Sequence, residues 1–283
     1  MIPPDLPVRT LAECGAAEAA AVLNACFDGY LVPVRMDAVA FERRQRAEHL
    51  DPFASRLYGT PERPAALLLV DRRGWSSRIG ALALAPAYRG RGLGRLLMQA
   101  ALAEAAARGD RRIGLEVFEQ NAPALALYRS LGFKPLRRLY GYGWTPAPGE
   151  VDSAMPLQSA DPLGVARAVA REGEVDLPWV LQAETLAASA PPVLGFSLDG
   201  VAHALVRPLA DDRMGLLALV VAREQRRRGL ARRLLQGLAA RFPGQGWIIP
   251  QIVPETLGEP VLPRLGWQRL PLNQLEMWCE LPA

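Results

Sequence analysis

Apolar positions along this chain follow two rhythms, and the order of those rhythms repeats once. Short apolar runs at 55–58, 65–70 and 78–85 read as strands. Turn residues separate them at 59–64 and 71–76, and Pro86 stops the third. From 94 to 108, apolar side chains recur at 96, 97, 101, 102 and 105, which is one helical face. Residues 113–118 form a β-rich run. Residues 123–131 read as a short helix, with proline in the first turn and Gly132 just past the end. Ahead of these lie a short strand at 8–10 and helices at 11–26 and 36–50. Behind them, 134–144 gives one or two further strands. The order predicts an α/β unit of the α+β kind, a mixed sheet with one parallel crossover.

The second half repeats this order. Helices are expected at 162–171, 177–190 and 229–242, and strands at 193–198, 201–208, 214–221, 247–253 and 270–280. Asp199-Gly200 between two strands is a hairpin signal. The Pro-rich stretch 145–152 breaks periodicity and serves as the expected linker, giving domains at 1–146 and 151–283. Two similar units in tandem explain the pattern better than one large domain.

Composition narrows the function classes. The chain has 283 residues and a net charge of +4, carried by arginine, with Lys134 as its single lysine. That balance reads as a compositional bias and not as a nucleic-acid surface. Cys14, Cys26 and Cys279 lack the spacing of a disulfide or zinc framework, and His49 and His203 have no companions to complete a metal site. No metal is expected. No apolar run reaches membrane-spanning length and no signal-like segment opens the chain, so a cytoplasmic protein without a membrane partner is expected.

The chemistry concentrates between the strand at 78–85 and the following helix, where residues 88–95 read Tyr-Arg-Gly-Arg-Gly-Leu-Gly-Arg. Gly90, Gly92 and Gly94 let backbone approach a ligand and tolerate positive φ. The helix N-terminus presents free N–H groups to an anion, and Arg91 and Arg95 add charge. A dinucleotide fold needs glycine at position 95, which is Arg, and a nucleoside-triphosphate loop needs Gly-Lys-Ser/Thr, which is missing. What remains is Arg-x-x-Gly-x-Gly, filled by Arg89, Gly92 and Gly94. Further on come Leu115-Glu116-Val117, Asn121, Tyr128 and Leu131-Gly132-Phe133.

Taken in order through residues 79–133, these parts resemble the GCN5-related N-acetyltransferase (GNAT) superfamily. The resemblance implies two tandem GNAT-type acyl-CoA N-acyltransferase domains and acetyl-CoA as co-substrate. It places the pyrophosphate at Arg89, Gly90, Arg91, Gly92, Gly94 and Arg95, and the pantetheine arm along the strand of Leu82 and Leu84, paired like an added strand. Asn121 is either a polar contact to the CoA arm or an N-cap for the next helix, or both. Tyr128, four residues before the glycine of Leu-Gly-Phe, is implied as donor to the departing thiolate. Glu116, twelve residues before Tyr128, is the candidate base; family members that acetylate protein N-termini share this spacing. Glu119 is a weaker rival.

The second half carries a paler copy. Arg226 follows Arg89 by 137 positions (226 − 89), and Arg226, Gly229 and Ala231 fit the same loop pattern. By position, Leu219, Val221 and Arg228 would join them in a second cofactor site. Aligning Gly266 with Gly132, however, puts Leu262 at the tyrosine position, Pro250 at that of Glu116 and Glu255 at that of Asn121. This domain is therefore expected to be degenerate. The expected function is transfer of an acetyl group from acetyl-CoA to a primary amine of a small molecule or peptide, entering near 28–35 and the strand end at 140–144, beside Asp28 or Glu42. Alternatives are a non-catalytic acyl-CoA sensor or a scaffold. A homodimer is possible, and nucleic acid is not an expected partner.

Overall fold

The computed structural model describes residues 6–147 and 157–282. Contacts divide the chain into two units, Met1–Leu136 with Leu275–Ala283, and Arg137–Gln274. The sequence reading drew the division at 146–151 instead. The earlier division has a local cause: residues 139–144 pair with a strand of the second unit, and Leu275 and Met277 sit in the core of the first. Of the expected linker, 148–152 lies outside the described residues.

The first unit runs β1 (Val8–Thr10), α1 (Ala16–Cys26), α2 (Ala38–Glu48), β2 (Arg56–Gly59), β3 (Pro64–Arg73), β4 (Ser76–Leu84), α3 (Leu93–Ala107), β5 (Arg112–Phe118), α4 (Ala122–Ser130) and the start of β6 (Lys134–Trp144). Strands β1 to β4 form an antiparallel meander, and β5 joins β4 in parallel after the α3 crossover. One sheet face packs Leu68, Val70, Ile113 and Leu115 against Leu97, Met98 and Ala101 of α3 and Leu125 of α4. The other packs Leu67, Leu69, Ala81 and Ala83 against Val22 and Leu23 of α1 and Phe41 of α2.

Two expectations need correction here. The helix expected over 11–26 is a 3-10 turn at Leu11–Glu13 followed by α1, because the Glu13 carboxylate folds back onto Thr10 N and Oγ and Gly15 restarts the chain as N-cap. The turn expected at 71–76 shrinks to Gly74 and Trp75, since β3 and β4 stay paired out to Arg73 and Ser76.

Strand β4 carries one residue too many. Leu69 opposes Ala81 and Val70 opposes Ile79, so Gly80 is a β-bulge. The bulge reverses the facing: Ile79 points toward α3, while Ala81 and Ala83 point toward α1 and α2. It also marks where β4 and β5 part. Their parallel pairing runs from Ser76↔Arg112 to Ile79↔Leu115 and no further, although β4 continues to Leu84 and β5 to Phe118.

The second unit repeats the scheme with β6, β7 (Gln158–Ala160), α5 (Pro162–Glu172), α6 (Ala183–Ala187), β8 (Leu194–Leu198), β9 (Ala202–Leu209), β10 (Arg213–Val221), α7 (Leu230–Arg241), β11 (Gly246–Pro254), α8 (Glu255–Gly258) and β12 (Gln268–Glu280), whose last residues return to the first unit. The helix expected over 177–190 is broken into a 3-10 turn at Trp179–Leu181 and the five-residue α6, hemmed in by Pro178 and by Pro191-Pro192. A bulge at Leu217 interrupts β9–β10 pairing, and β10 and β11 pair only from Arg213↔Gly246 to Gly215↔Ile248. Asp199 and Gly200, at φ 54 and 68, make the expected hairpin turn.

Candidate active site

The divergence of β4 and β5 leaves a wedge with unpaired strand edges at 80–84 on one side and 116–118 on the other. Leu82 and Leu84 are half-buried and pack with the α3-side core. At the mouth of the wedge, Gly90 and Gly92 have φ of 71 and 79, and Gly92 is the N-cap of α3 with no side-chain cap. A Cβ at either glycine would meet nothing within 4 Å, so the cradle is open to a ligand. The strong positive end of a 15-residue helix points at it. Arg91 is exposed beside it, and Arg95 donates to Ser130 Oγ at 2.7 Å. At Gly94 a methyl group would reach Leu127 at an ordinary 3.5 Å, which accounts for Ala231 in the second copy. The donor set thus suits a pyrophosphate on backbone N–H groups, and the wedge suits an amide-bearing arm.

Arg89 departs from its expected place. Its guanidinium turns away from the cradle and donates to backbone carbonyls, including Leu84 O at 2.9 Å.

Tyr128 of α4, in the core against which Leu82 and Leu84 pack, is 7% exposed and its ring lies 5.9 Å from that of Phe133. Burial first, then the nearby Tyr30 phenol, raises its hydroxyl well above the usual phenol range, so it stays protonated. Asn121 caps α4, accepting from Ala124 N at 3.3 Å. Tyr30 is a residue that the sequence reading missed. It packs against Phe27 and Phe118, with ring centroids at 5.1 and 6.1 Å. Burial raises its hydroxyl, while a hydrogen bond with Asn121 pulls it back. Its only sequence signal was an aromatic in the break after α1. That break, Phe27 to Asp37, lines a cavity of about 740 Å³ that includes Asp28, Tyr30, Arg35 and Asp37.

Glu116 is the first residue of β5 past the end of pairing with β4. It is not an exposed strand-end carboxylate. Its Oε2 accepts from Arg78 Nε at 2.7 Å, and the same guanidinium binds Glu48 Oε2 and Asp71 Oδ2 through Nη1, each at 2.7 Å. Arg44 adds a second cation to Glu48 at 3.2 Å. Burial raises the Glu116 carboxyl against the pull of Arg78, with Glu276 and Glu48 adding to the rise. Arg78 was also missed; a lone charge in a small-residue strand is its sequence trace.

In the second unit Gly229 caps α7 at φ 76, and Arg227 adopts φ 62. Leu219 and Val221 are half-buried like Leu82 and Leu84, and Arg228 is exposed. Leu262 is buried where the first unit has its tyrosine, and Glu255 accepts from Tyr140 at 3.3 Å. Pairing of β6 with β11 lapses between Ile249 and Val253, where Pro250 lacks an N–H. Among the described residues no cluster of three or more His, Cys, Asp or Glu could hold a metal, and no helix is long and apolar enough to cross a membrane.

A bulged strand splayed from a parallel neighbour, beside a glycine-started helix and present twice, is the tandem GNAT fold. Over 99% of this chain and 99% of the other, the structure aligns with the tandem GNAT protein from the clavulanic acid biosynthesis pathway, at TM-score 0.67 and 15% identity, a likeness of fold. Residues 33–133 match the model of the Acetyltransferase (GNAT) family. Over 71 residues, 24% of this chain and 38% of the relative, the sequence is 41% identical to streptothricin acetyltransferase of Streptomyces lavendulae. Over 61 residues, 21% of this chain and 41% of the relative, it is 44% identical to the ribosomal protein bS18-alanine N-acetyltransferase of Salmonella typhimurium. The matched segment thus spans about two fifths of each curated relative. Residues 33–133 are thus similar to the GNAT family, and the chain as a whole shares the tandem GNAT fold.

Proposed function

We propose that the first unit is an N-acetyltransferase that moves the acetyl group of acetyl-CoA to a primary amine. The observation that carries this reading is the wedge beyond Ile79/Leu115 on the strand that leads into the uncapped glycine cradle, with Tyr128 buried in the core against which Leu82 and Leu84 pack. Acetyl-CoA supplies an activated acetyl thioester when bound. The N-terminus of α3, with Gly90, Arg91, Gly92, Gly94 and Arg95, holds its pyrophosphate. The backbone edge of β4 at Leu82 and Leu84, which β5 leaves unpaired, orients its arm, as an added strand does. Tyr128, kept protonated by burial, donates to the leaving thiolate. Glu116, with its raised carboxyl at the edge of the wedge, takes the proton from the attacking amine. Asn121 stays the cap of α4 and holds Tyr30 in place.

The acceptor enters through the cavity at Phe27 to Asp37, where Asp28 and Asp37 favour a cation. The relatives named for streptothricin and for an alanine of a ribosomal protein support an amine acceptor, either small molecule or peptide. In the second unit the cradle at Arg226, Arg228, Gly229 and Ala231, with Leu219 and Val221, is read as a cofactor-binding remnant, since Leu262 offers no proton.

The test is thiol release from acetyl-CoA across a panel of amines, amino acids, aminoglycosides and N-terminal peptides. Release with one class, reduced ~10²–10⁴-fold in Tyr128→Phe, is expected. Glu116→Gln should lower kcat comparably and abolish the acid limb of its pH profile. Gly92→Glu, which puts a charge and a strained φ in the cradle, should abolish CoA binding to the first unit. Binding without turnover across the panel makes the protein a sensor, and absence of binding makes it a scaffold.

A further inference from the structure

The motif arginine, Arg89, is committed to carbonyls. Its Nε donates to Leu84 O at 2.9 Å, and its Nη2 to Cys26 O at 3.1 Å and Asp28 O at 2.7 Å. Leu84 is the last residue of β4 and Cys26 the last of α1. One planar fork therefore ties the end of the strand beside the wedge to the end of the first helix.

The second unit repeats this. Arg226 Nε donates to Val221 O at 3.2 Å, and Nη2 donates to Glu172 O. Val221 is the last residue of β10 and Glu172 the last of α5. The intervening residues differ, Ala85-Pro86-Ala87-Tyr88 against Ala222-Arg223-Glu224-Gln225. Recurrence at these two carbonyls in unlike sequence marks a built contact. The physical reason is that a helix ends in unsatisfied carbonyls at the negative pole of its dipole, and guanidinium offers several coplanar donors there. The units differ in the third contact. In the first it is Asp28 O, in the wall of the 740 Å³ cavity. In the second, Nη1 instead reaches the Glu174 carboxylate at 3.5 Å.

We propose that Arg89 is a positioning residue and not an anion ligand: it fixes the acceptor-side segment Phe27 to Asp37 against the end of β4, so that the acceptor cavity and the cofactor wedge keep one alignment. The anion is left to the backbone of the cradle and to Arg91. The tie itself stands on geometry alone; its effect on the acceptor rests on the acetyl-transfer reading above.

The experiment compares wild type, Arg89→Met and Arg89→Lys in the full chain, by hydrogen exchange of the amides of residues 27–37 and by calorimetric titration with CoA. Both variants should exchange faster in this segment, by about tenfold, because lysine keeps the charge but lacks the fork. CoA affinity should stay within about threefold of wild type. With an amine found in the panel, KM for the amine should rise while KM for acetyl-CoA stays. Unchanged exchange at 27–37 overturns the proposal. So does a CoA affinity about tenfold or more weaker in Arg89→Met and restored by lysine, the mark of a charge contact. Arg226→Met gives an internal check, with faster exchange expected just after Glu172. If wild type neither binds CoA nor releases thiol, the acetyl-transfer reading fails while the exchange data still decide the tie.

Discussion

At the scale of single residues, one guanidinium governs the acidic side of the wedge. Arg78 holds Glu116, Glu48 and Asp71, so fewer cations than carboxylates share a buried space. Asp71 is fully buried, and its Oδ1 accepts no hydrogen bond among the described residues. Burial pushes its carboxyl up to about 7, with Glu48 adding to the rise and Arg78 and Arg44 opposing it. For Glu48 burial acts the same way, but Arg44 and Arg78 outweigh it and hold its carboxyl low. The sign for Asp71 follows. A raised folded pKa means the folded protein binds the extra proton, so this contribution is full below the ordinary carboxyl pKa of about 4. It is lost as pH rises through about 7. Asp71→Asn should therefore gain stability relative to wild type between pH 5 and pH 8.5. Urea midpoints at the two pH values measure this, and an unchanging gap would contradict it. None of this was visible in the sequence, where Asp71 reads as a turn residue and Arg78 as a strand start.

At the scale of elements, the bulge in β4 marks where β4 and β5 part and the candidate site opens. Gly80 O accepts from Arg44 Nη2 at 2.6 Å, and a Cβ on Gly80 would stand 2.6 Å from Asp71 Oδ2. Any side chain there must push the buried carboxylate or straighten the bulge. Gly80→Val should cost about 1–3 kcal/mol, read from urea unfolding, and should weaken CoA binding through closure of the wedge. A variant as stable as wild type would show that the bulge does not depend on glycine at this position. The strand itself was legible from its apolar run. The bulge was not, because its counterpart in the second unit is Leu217 and no residue type announces it. Helix α3 was legible at both levels, since the glycine cap and the apolar stripe agree. Asn121 was readable as a cap because Asn before Ala-Pro is a local signal.

At the scale of the whole chain, the first unit is not a contiguous segment. Leu275 is 5% exposed and Met277 fully buried, both in the core with Leu97, Ile113 and Leu115. Trp278 lies across Gly114, where a Cβ would come within 2.9 Å of its ring. Met277→Ala should therefore cost about 2–5 kcal/mol in the unfolding of the first unit. A fragment ending at 146 should melt well below the intact chain or fail to fold, and thermal melts of the fragment and the intact chain measure this. Equal melting of fragment and full chain would mean that residues 275–283 are dispensable for that core.

The sequence by itself determined the tandem order of elements, the cradle glycines and the order of Glu116, Asn121 and Tyr128, because helix caps, turns and apolar periodicity act over a few residues. It could not determine what Arg89 binds, how Arg78 gathers three carboxylates, where β4 and β5 part, or which core the last strand completes. Most of those depend on groups that meet across tens of positions of chain or more, as Arg78 with Glu116 and Met277 with Ile113 do. Only the folded sheet brings them within hydrogen-bond or packing distance.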